Sequence, residues 1–400
     1  MTDALLEPTT RRVYRVAVSF LFFLQGLCFA TWASRIPSIQ QQLNISNTAL
    51  GAILFALPAG SMISLTFSGA VVARYGSKTM ATFAIFIYGL SLPLIGFADE
   101  VFWLVLSLLL FGLAGNLANI SINTQAVRVE AAYGRKILAS FHGLWSLAGF
   151  VAAGAGTLMI GQGISPAWHF MVVSAIIVCT ILLLSRYLMP DAGNTGERLP
   201  FFVKPDKPLL KLGILAFCCM ICEGTMFDWS GIYFQKVVEA PRDLIGAGYT
   251  AFMLSMASGR FVGDWVANRL HFTKTIFFSA LLVTAGLLLS VALPHVVSAI
   301  IGFMLVGLGV SSMIPLIYSE AGRSSANPGM ALTAVSSVGF LGFLIGPPMI
   351  GMIAGLSTLR VSFLVIACLG IFIAWMVRTL RHGQHTKNTP IPDVAASTKP

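Results

Sequence analysis

Residues 101–124 read VFWLVLSLLLFGLAGNLANISINT, a stretch without a single ionisable side chain. A helix needs about 20 consecutive apolar residues to cross the hydrocarbon core of a bilayer. The apolar character of the stretch is continuous rather than alternating, which argues against a strand of a membrane barrel. Residues 101–124 are therefore predicted to cross a membrane as a helix.

The composition of the whole chain points to the same class. Hydrophobic residues make up 56% of the 400 residues and charged residues only 10%. Soluble domains carry about 25% charged residues, because their surface must be wetted by water. Lipid is then the solvent for most of this surface, and only helices or closed barrels satisfy their backbone groups there. The sequence predicts an all-α membrane protein.

Twelve transmembrane helices are expected, and a polar stretch divides them into two groups of six. The predicted domains are an N-terminal bundle, 1–189, a cytoplasmic linker, 190–208, and a C-terminal bundle, 209–380. The tail 381–400 is polar and is predicted to be disordered. The predicted spans are 13–34, 48–72, 79–98, 101–124, 138–161, 166–188, 209–235, 244–267, 274–293, 295–318, 329–354 and 359–380.

The distribution of positive charge predicts the orientation of the chain. With both termini in the cytoplasm, all but four of the 25 Lys and Arg residues lie on the cytoplasmic side. The exceptions are Arg35, Lys236, Arg242 and Arg360. Cytoplasmic loops are typically enriched in these residues, so the net charge of +10 indicates topology and not nucleic-acid binding.

The two halves also echo each other. Arg74 and Arg269 follow the second and eighth spans, and Arg128 and Arg323 follow the fourth and tenth, in both cases at an offset of about 195 residues, as expected of a parallel duplication. The sequence therefore predicts two pseudo-symmetric six-helix bundles.

The loop after the second span carries a recognisable motif. Gly69, Arg74, Gly76 and Lys78 match the signature Gly-x-x-x-Asp-Arg-x-Gly-Arg/Lys of the major facilitator superfamily, with Ala73 at the Asp position. In the second half, Asn268 stands at the Asp position and Asp264 at the Gly position, before Arg269. The acidic partner of this family's cytoplasmic gate is missing from both loops. Asp264, one helical turn from Arg260, is the candidate to replace it.

Further stretches resemble bacterial permeases near the fucose permease-like branch of this superfamily. They are Trp32-Ala-Ser-Arg35-Ile-Pro37, His142-Gly-Leu-Trp-Ser-Leu147, Glu223-Gly-Thr-Met-Phe-Asp228-Trp229, Gly259-Arg260-Phe-Val-Gly263 and Gly346-Pro347-Pro348. The resemblance implies a monomeric, multi-pass secondary transporter of the bacterial inner membrane with the major facilitator fold. Its partners would be a small solute, protons and lipid, with the solute between the bundles near the midplane.

Glu223 is the main ionisable residue near the middle of a predicted span. A charge at that depth costs at least about 2.5–3.5 kcal/mol, so it needs a partner, a water-filled cavity or a proton. Desolvation favours the neutral form of a carboxyl group, which suits a group that takes up and releases protons. The sequence predicts proton coupling through Glu223, with a structural acid or a direct solute contact as the alternatives.

Polar residues on other spans are candidates for the wall of a solute cavity. Asn116, Asn119 and Asn123 have the i, i+3, i+7 spacing that places three amides on one helix face. Amides offer paired donors and acceptors, which fit a neutral, sugar-like solute. Other candidates, for which packing is the alternative, are Gln25, Trp32 and His142.

Two gates are also expected. At the outer mouth, Arg35 and Asp228 beside Trp229 are predicted to form an ion pair, unless both simply face water. The cytoplasmic gate is assigned to Gly69, Arg74, Gly76, Lys78, Arg260, Asp264 and Arg269.

Two other functions compete with solute uptake. The 29 Phe residues would suit an exporter of amphipathic, drug-like compounds. A membrane enzyme or sensor is disfavoured, since the sequence has no zinc-ligand spacing, no GxSxG and no phosphate loop. No metal, cofactor or nucleic acid is therefore expected.

Overall fold

The structure is a computed structural model that describes residues 7–134, 137–191, 206–324 and 328–384. Within these ranges, the side chains of residues 8, 139, 263–268, 328–329 and 380–384 are not described.

The described residues form α-helices and two short 3₁₀ helices, and none of them lies in a strand. The α-helices are α1 (Pro8–Gln42), α2 (Asn47–Leu54), α3 (Ala56–Tyr75), α4 (Ser77–Gly96), α5 (Val101–Tyr133), α6 (Leu138–Gly161), α7 (Pro166–Leu184), α8 (Lys207–Lys236), α9 (Ala247–Ala292), α10 (Val296–Val310), α11 (Met313–Arg323), α12 (Pro328–Leu356) and α13 (Leu359–Gln384). The 3₁₀ helices are Ser185–Tyr187 and Arg242–Leu244.

In the described part of the chain, eleven helical segments are long and apolar enough to cross a membrane. The remaining predicted span, 244–267, corresponds to the first arm of α9. The chain leaves helical geometry at His271 (φ 61°, ψ 157°), and the second arm of α9 covers the next predicted span. The all-helical membrane architecture is confirmed.

Two predicted spans are each broken into two helices. The span 48–72 consists of α2 and α3, and the span 295–318 consists of α10 and α11. In both cases a proline, Pro58 or Pro315, is the third residue after the break. Proline lacks the backbone N–H and its ring clashes with the carbonyl four residues earlier, so an unbroken helix is disfavoured there.

The helices pack within each half of the sequence and also across the two halves. In the first half, α1 packs on α6 while α3 and α4 pack on α5; in the second half, α8 packs on α12 and α9 on α10 and α13. Contacts between the halves join α2 to α12, α6 to α9 and α1 to α8. The division into two domains stays a prediction, because 192–205 of the linker lie outside the described residues. Helix α13 extends to Gln384, so the first residues of the predicted tail are helical, and 385–400 are not described.

The halves meet tightly at one end of the bundle, opposite the end that carries Lys78, Arg128 and Arg323. The end at which the halves meet is called the opposite end, or closed end, below. The end that carries Lys78, Arg128 and Arg323 is called the basic end. At the opposite end, Lys236 of α8 donates to the Asn47 side chain of α2 across 2.8 Å. Helices α2 and α12 approach most closely there at two glycines.

A Cβ atom at Gly51 would lie 2.7 Å from the Pro347 carbonyl oxygen, and one at Gly351 would lie 2.7 Å from that of Asn47. Glycine permits this approach of two backbones.

A cross-link would test the closure of the opposite end. The Thr157 and Thr250 hydroxyls, on α6 and α9, lie 3.0 Å apart. Cysteines at both positions are expected to form a disulfide on mild oxidation, because side chains this close meet the geometric requirement. After cleavage at a protease site engineered into residues 195–200, the two halves should co-migrate on a non-reducing gel and separate on reduction.

Variants that carry only one of the two introduced cysteines, beside the six native ones, serve as controls, and their halves should separate under both conditions. Separation of the halves of the oxidised double variant would show that the opposite end is not closed as described.

Candidate functional site

A large cavity lies between the two halves. Its volume is about 1940 Å³, and its lining includes residues of α1, α3, α5, α6, α8, α9, α11 and α12. Lys207, Lys211 and Arg323 lie along its mouth. The cavity is therefore open at the basic end, while the packing described above closes the opposite end. Both proline-broken helices contribute to the wall, through Pro58 and Pro315.

One stripe of α8 faces the cavity. The residues of this stripe recur at i, i+3, i+4, i+7 and i+8, which is the spacing of one helix face. They are Met220, Glu223, Gly224, Phe227 and Asp228. The stripe starts from the basic end, and Asp228 is its last member toward the closed end.

Glu223 is paired in the structure. Its Oε1 lies 3.5 Å from Nη2 of Arg260, and the two side chains are 10% and 24% exposed. The sequence required a partner, a water-filled cavity or a proton for Glu223 but did not identify Arg260 as the partner. The partner was missed because it comes from the next span, at a position that the loop motif assigned to the cytoplasmic gate.

Arg260 also joins the two halves. Its Nη1 donates a hydrogen bond of 2.8 Å to the Ser146 hydroxyl on α6, and its guanidinium carbon lies 5.5 Å from the Trp145 ring centroid. Arg260 therefore belongs to the cavity and not to a gate at the helix end. The proposed partner in that gate, Asp264, lies outside the described side chains, and Arg269 does not line the cavity.

Aromatic rings surround the deep part of the cavity. Phe227 meets Phe29 edge to face at 5.2 Å and stacks with Phe343 at 6.5 Å, and Phe29 lies 6.0 Å from Trp145. All four rings line the cavity. They connect α1 and α6 with α8 and α12, so the wall crosses from one half of the sequence to the other.

The predicted amides divide into two groups. Asn116 and Asn119 line the cavity, and the Asn116 Nδ2 atom has no hydrogen-bond partner among the described residues. Gln25 also lines it and donates to the Gly115 carbonyl at 3.3 Å. Asn123 does not line this cavity, because it lies beyond the cavity wall, where its Nδ2 donates to the Asn119 side chain at 2.9 Å.

Of the remaining cavity candidates, one lines the cavity and one does not. His142 faces the cavity and meets the Phe22 ring edge to face at 5.0 Å. Trp32 is only 1% exposed and is packed in the core, so its assignment to the cavity wall is wrong.

The predicted outer gate is not formed in this structure. Arg35 is 2% exposed and its Nη2 donates to the Ile164 carbonyl at 2.6 Å, which ties it to the segment between α6 and α7. Asp228 instead lines the cavity, and Trp229 is fully buried. Arg35 and Asp228 do not form an ion pair because they face different surroundings.

An acid does contact the loop motif between α3 and α4, although it comes from another part of the chain. The Asp191 carboxylate, from beyond α7, accepts hydrogen bonds from the Ser77 hydroxyl at 2.9 Å and the Lys78 backbone N–H at 3.1 Å. It also lies 3.4 Å from Arg128 Nη1, and Arg128 donates to the Pro190 carbonyl as well. An acid at the start of α4 is favoured by the free N–H groups of that helix end. Spacing within the loop could not reveal it, since Asp191 is remote in sequence.

The motif glycines Gly69 and Gly76 provide a matched pair for testing this contact. Gly76 has a φ of 87°, and a Cβ atom there would overlap the Asp191 carboxylate; a Cβ at Gly69 would contact nothing within 4 Å. We expect Gly76→Ala to destabilise the protein by about 1–3 kcal/mol, because its φ of 87° and ψ of 150° lie in a region that is essentially restricted to glycine. Gly69→Ala should be neutral or stabilising, because alanine favours helix. Thermal unfolding of the purified variants in detergent measures both, and equal midpoints would contradict the role given to Gly76.

The comparisons with known proteins agree with the fold. The family model of the Major Facilitator Superfamily matches residues 18–328 and 240–400. The chain is 31% identical to an MFS-type transporter of Yersinia pestis, over 92% of this chain and 95% of that protein.

Solved structures of a nucleoside transporter, NupG, and of a D-xylose–proton symporter superimpose with TM-scores of 0.71 each. They are 14% and 13% identical and cover 92% and 91% of this chain, and 99% and 97% of their own.

The chain belongs to the major facilitator superfamily. It is a membrane transporter, and its relatives are transporters rather than enzymes.

Proposed function

We propose that this protein is a proton-coupled secondary transporter of a small, polar, hydroxylated solute and that it works by alternating access. The observation that carries this proposal is the Glu223–Arg260 pair in a cavity that is open at one end and closed at the other. A site between two halves, reached from one side at a time, is what alternating access requires.

The pair is suited to proton coupling for two reasons. Glu223 and Arg260 are farther apart than in a direct hydrogen bond, and Arg260 also contacts the other half of the sequence. Its separation of 3.5 Å exceeds the roughly 2.7–2.9 Å of a direct charge-assisted hydrogen bond. Protonation of Glu223 removes the attraction to Arg260, whose other partner is Ser146 on α6. A proton on Glu223 would thus alter the contact that joins α9 to α6.

Other titratable groups near the pair are His142, Tyr318 and the thiols of Cys219 and Cys222, with Asp228 farther along α8. Glu223 is the carboxylate that contacts Arg260 directly, so it is the residue to test.

The solute class is inferred from the wall of the cavity. Gln25, Asn116 and Asn119 present amide groups that can both donate and accept hydrogen bonds. The named structural neighbours transport a nucleoside and D-xylose, which are hydroxylated compounds. The aromatic rings favour an alternative, export of amphipathic compounds, and hydrophobic cations belong in any ligand screen for that reason.

Replacement of Glu223 tests coupling. In proteoliposomes, the wild type should concentrate a transported probe from a panel of radiolabelled D-xylose, uridine and D-glucosamine when a pH gradient is imposed. Glu223→Gln cannot ionise, so we expect it to equilibrate the same probe without concentrating it, a loss of at least about tenfold in the accumulation ratio. The matched control is Glu100→Gln, an acid-to-amide change in the exposed segment between α4 and α5.

Unchanged accumulation by Glu223→Gln would rule out coupling through this residue. Such a result is expected if the Glu223–Arg260 pair persists throughout the cycle.

The proposed orientation places the basic end and both termini in the cytoplasm of a bacterial cell, with the cavity open inward. It follows from the positive charge at that end, because cytoplasmic loops are enriched in Lys and Arg. A reporter that fluoresces only in the cytoplasm should be bright when fused after residue 384, and alkaline phosphatase fused there should be inactive. The reverse pattern would overturn the orientation without affecting the fold.

A further inference from the structure

Asp228 is an acid for which the proposed function has no role. It follows Phe227 on the cavity-facing stripe of α8 and is the last residue of that stripe before the closed end. It lies five positions after Glu223, or about 7.5 Å farther along the helix axis. The carboxylate therefore faces the deepest part of the cavity, farther from the mouth than the Glu223–Arg260 pair.

Asp228 is not part of an ion pair in the described part of the chain. Among the side chains that the structure describes, no Lys, Arg or His nitrogen lies within 4.0 Å of its carboxylate. Glu223 already has Arg260, and Arg35, the partner expected from the sequence, is bound to the Ile164 carbonyl. An ionised carboxylate away from bulk water is costly unless it is paired. The cavity leaves room at Asp228 for a positively charged group that enters with the solute.

The surroundings of Asp228 fit an organic cation. The Phe29, Phe227, Phe343 and Trp145 rings line the same cavity as Asp228, and aromatic faces attract ammonium groups. Tyr249 is close enough to Asp228 to interact with it electrostatically, and its buried hydroxyl has no hydrogen-bond partner among the described residues. One carboxylate among aromatic rings is a recognised arrangement for binding an amine.

A metal ion fits this place less well. Hard cations require several oxygen ligands. In the described part of the chain, no group of three or more His, Cys, Asp or Glu residues is placed to hold a metal ion. The rings beside Asp228 contribute carbon faces in place of the oxygens that such an ion would need.

We propose that Asp228 binds the ammonium group of the transported solute, which is accordingly a hydroxylated organic amine. The aromatic rings hold the ammonium group and its neighbouring carbons at the closed end, and the amides of Gln25, Asn116 and Asn119 bind the hydroxyl groups. This inference rests on the proposed function and refines it, because it replaces the neutral solute expected from the amides alone with a positively charged one.

The test uses two sets of probes matched in shape and different in charge. One set is D-glucosamine, D-glucose and D-glucuronate; the other is tyramine, 4-hydroxyphenylethanol and 4-hydroxyphenylacetate. Ligand binding at free concentration L stabilises the purified full-length protein by RT ln(1 + L/Kd), so at equal ligand concentration the tighter ligand raises the thermal midpoint more. At neutral pH, at least one amine should bind about tenfold or more tightly than its neutral and anionic counterparts, as expected of a hydrogen bond to a charged group.

Three variants assign this preference to Asp228. Asp228→Asn should remove it, whereas Asp228→Glu, which keeps the charge, should retain it. Asp99→Asn makes the same chemical change at an exposed position between α4 and α5 and should behave as the wild type. The comparison of the amine, neutral and anionic probes on the wild type tests the proposal even if Asp228→Asn does not fold.

Several results would overturn the proposal. They are binding of the neutral or anionic probes that equals or exceeds that of the amines, and an amine preference that survives Asp228→Asn. The absence of binding by both amines would also overturn it, as would stabilisation by sodium chloride alone, which would point to a metal ion in place of an amine. The outcome is separable from that of the coupling proposal. Glu223→Gln should lose proton-driven accumulation and keep the amine preference, and Asp228→Asn should lose the amine preference.

Discussion

Arg260 makes the contact on which the arrangement of the site depends. One side of its guanidinium lies against Glu223 of α8, and the other donates to Ser146 of α6, so a single side chain links the two halves of the sequence at the cavity wall. Charged groups at this depth are tolerated only when they are paired or face water. The acid and the arginine each stabilise the charge of the other, and the pair lies where the two halves meet.

The two ends of the bundle differ because of what the helices present at each. At the opposite end, small residues bring α2 and α12 into backbone contact around Gly51 and Gly351. At the basic end, lysines and arginines line an open mouth, and like charges repel one another and prefer water. Close packing at one end and charge at the other are the physical reasons for a cavity that is open on one side.

The binding chemistry of the cavity is layered by depth. Basic residues lie at the mouth, the Glu223–Arg260 pair lies farther in, and Asp228 is the cavity-facing residue of α8 nearest the closed end. A cationic solute would pass a neutral pair before it met an uncompensated carboxylate. Under the proposed function, the proton and the solute then act on different residues of α8, which separates coupling from recognition.

The sequence by itself determined the membrane class and the approximate positions of the spans, because apolar runs about 20 residues long carry these properties locally. The family followed from the loop motif that contains Gly69, Arg74, Gly76 and Lys78. The sequence also identified Glu223, Asn116 and Asn119 as polar residues that cannot face lipid. Only the tertiary structure decided what each polar residue meets. The partner of Glu223 comes from another helix, and the acid at the start of α4 is Asp191, more than a hundred positions away. Pairing across helices depends on rotation and depth, and residue spacing within one span does not encode them.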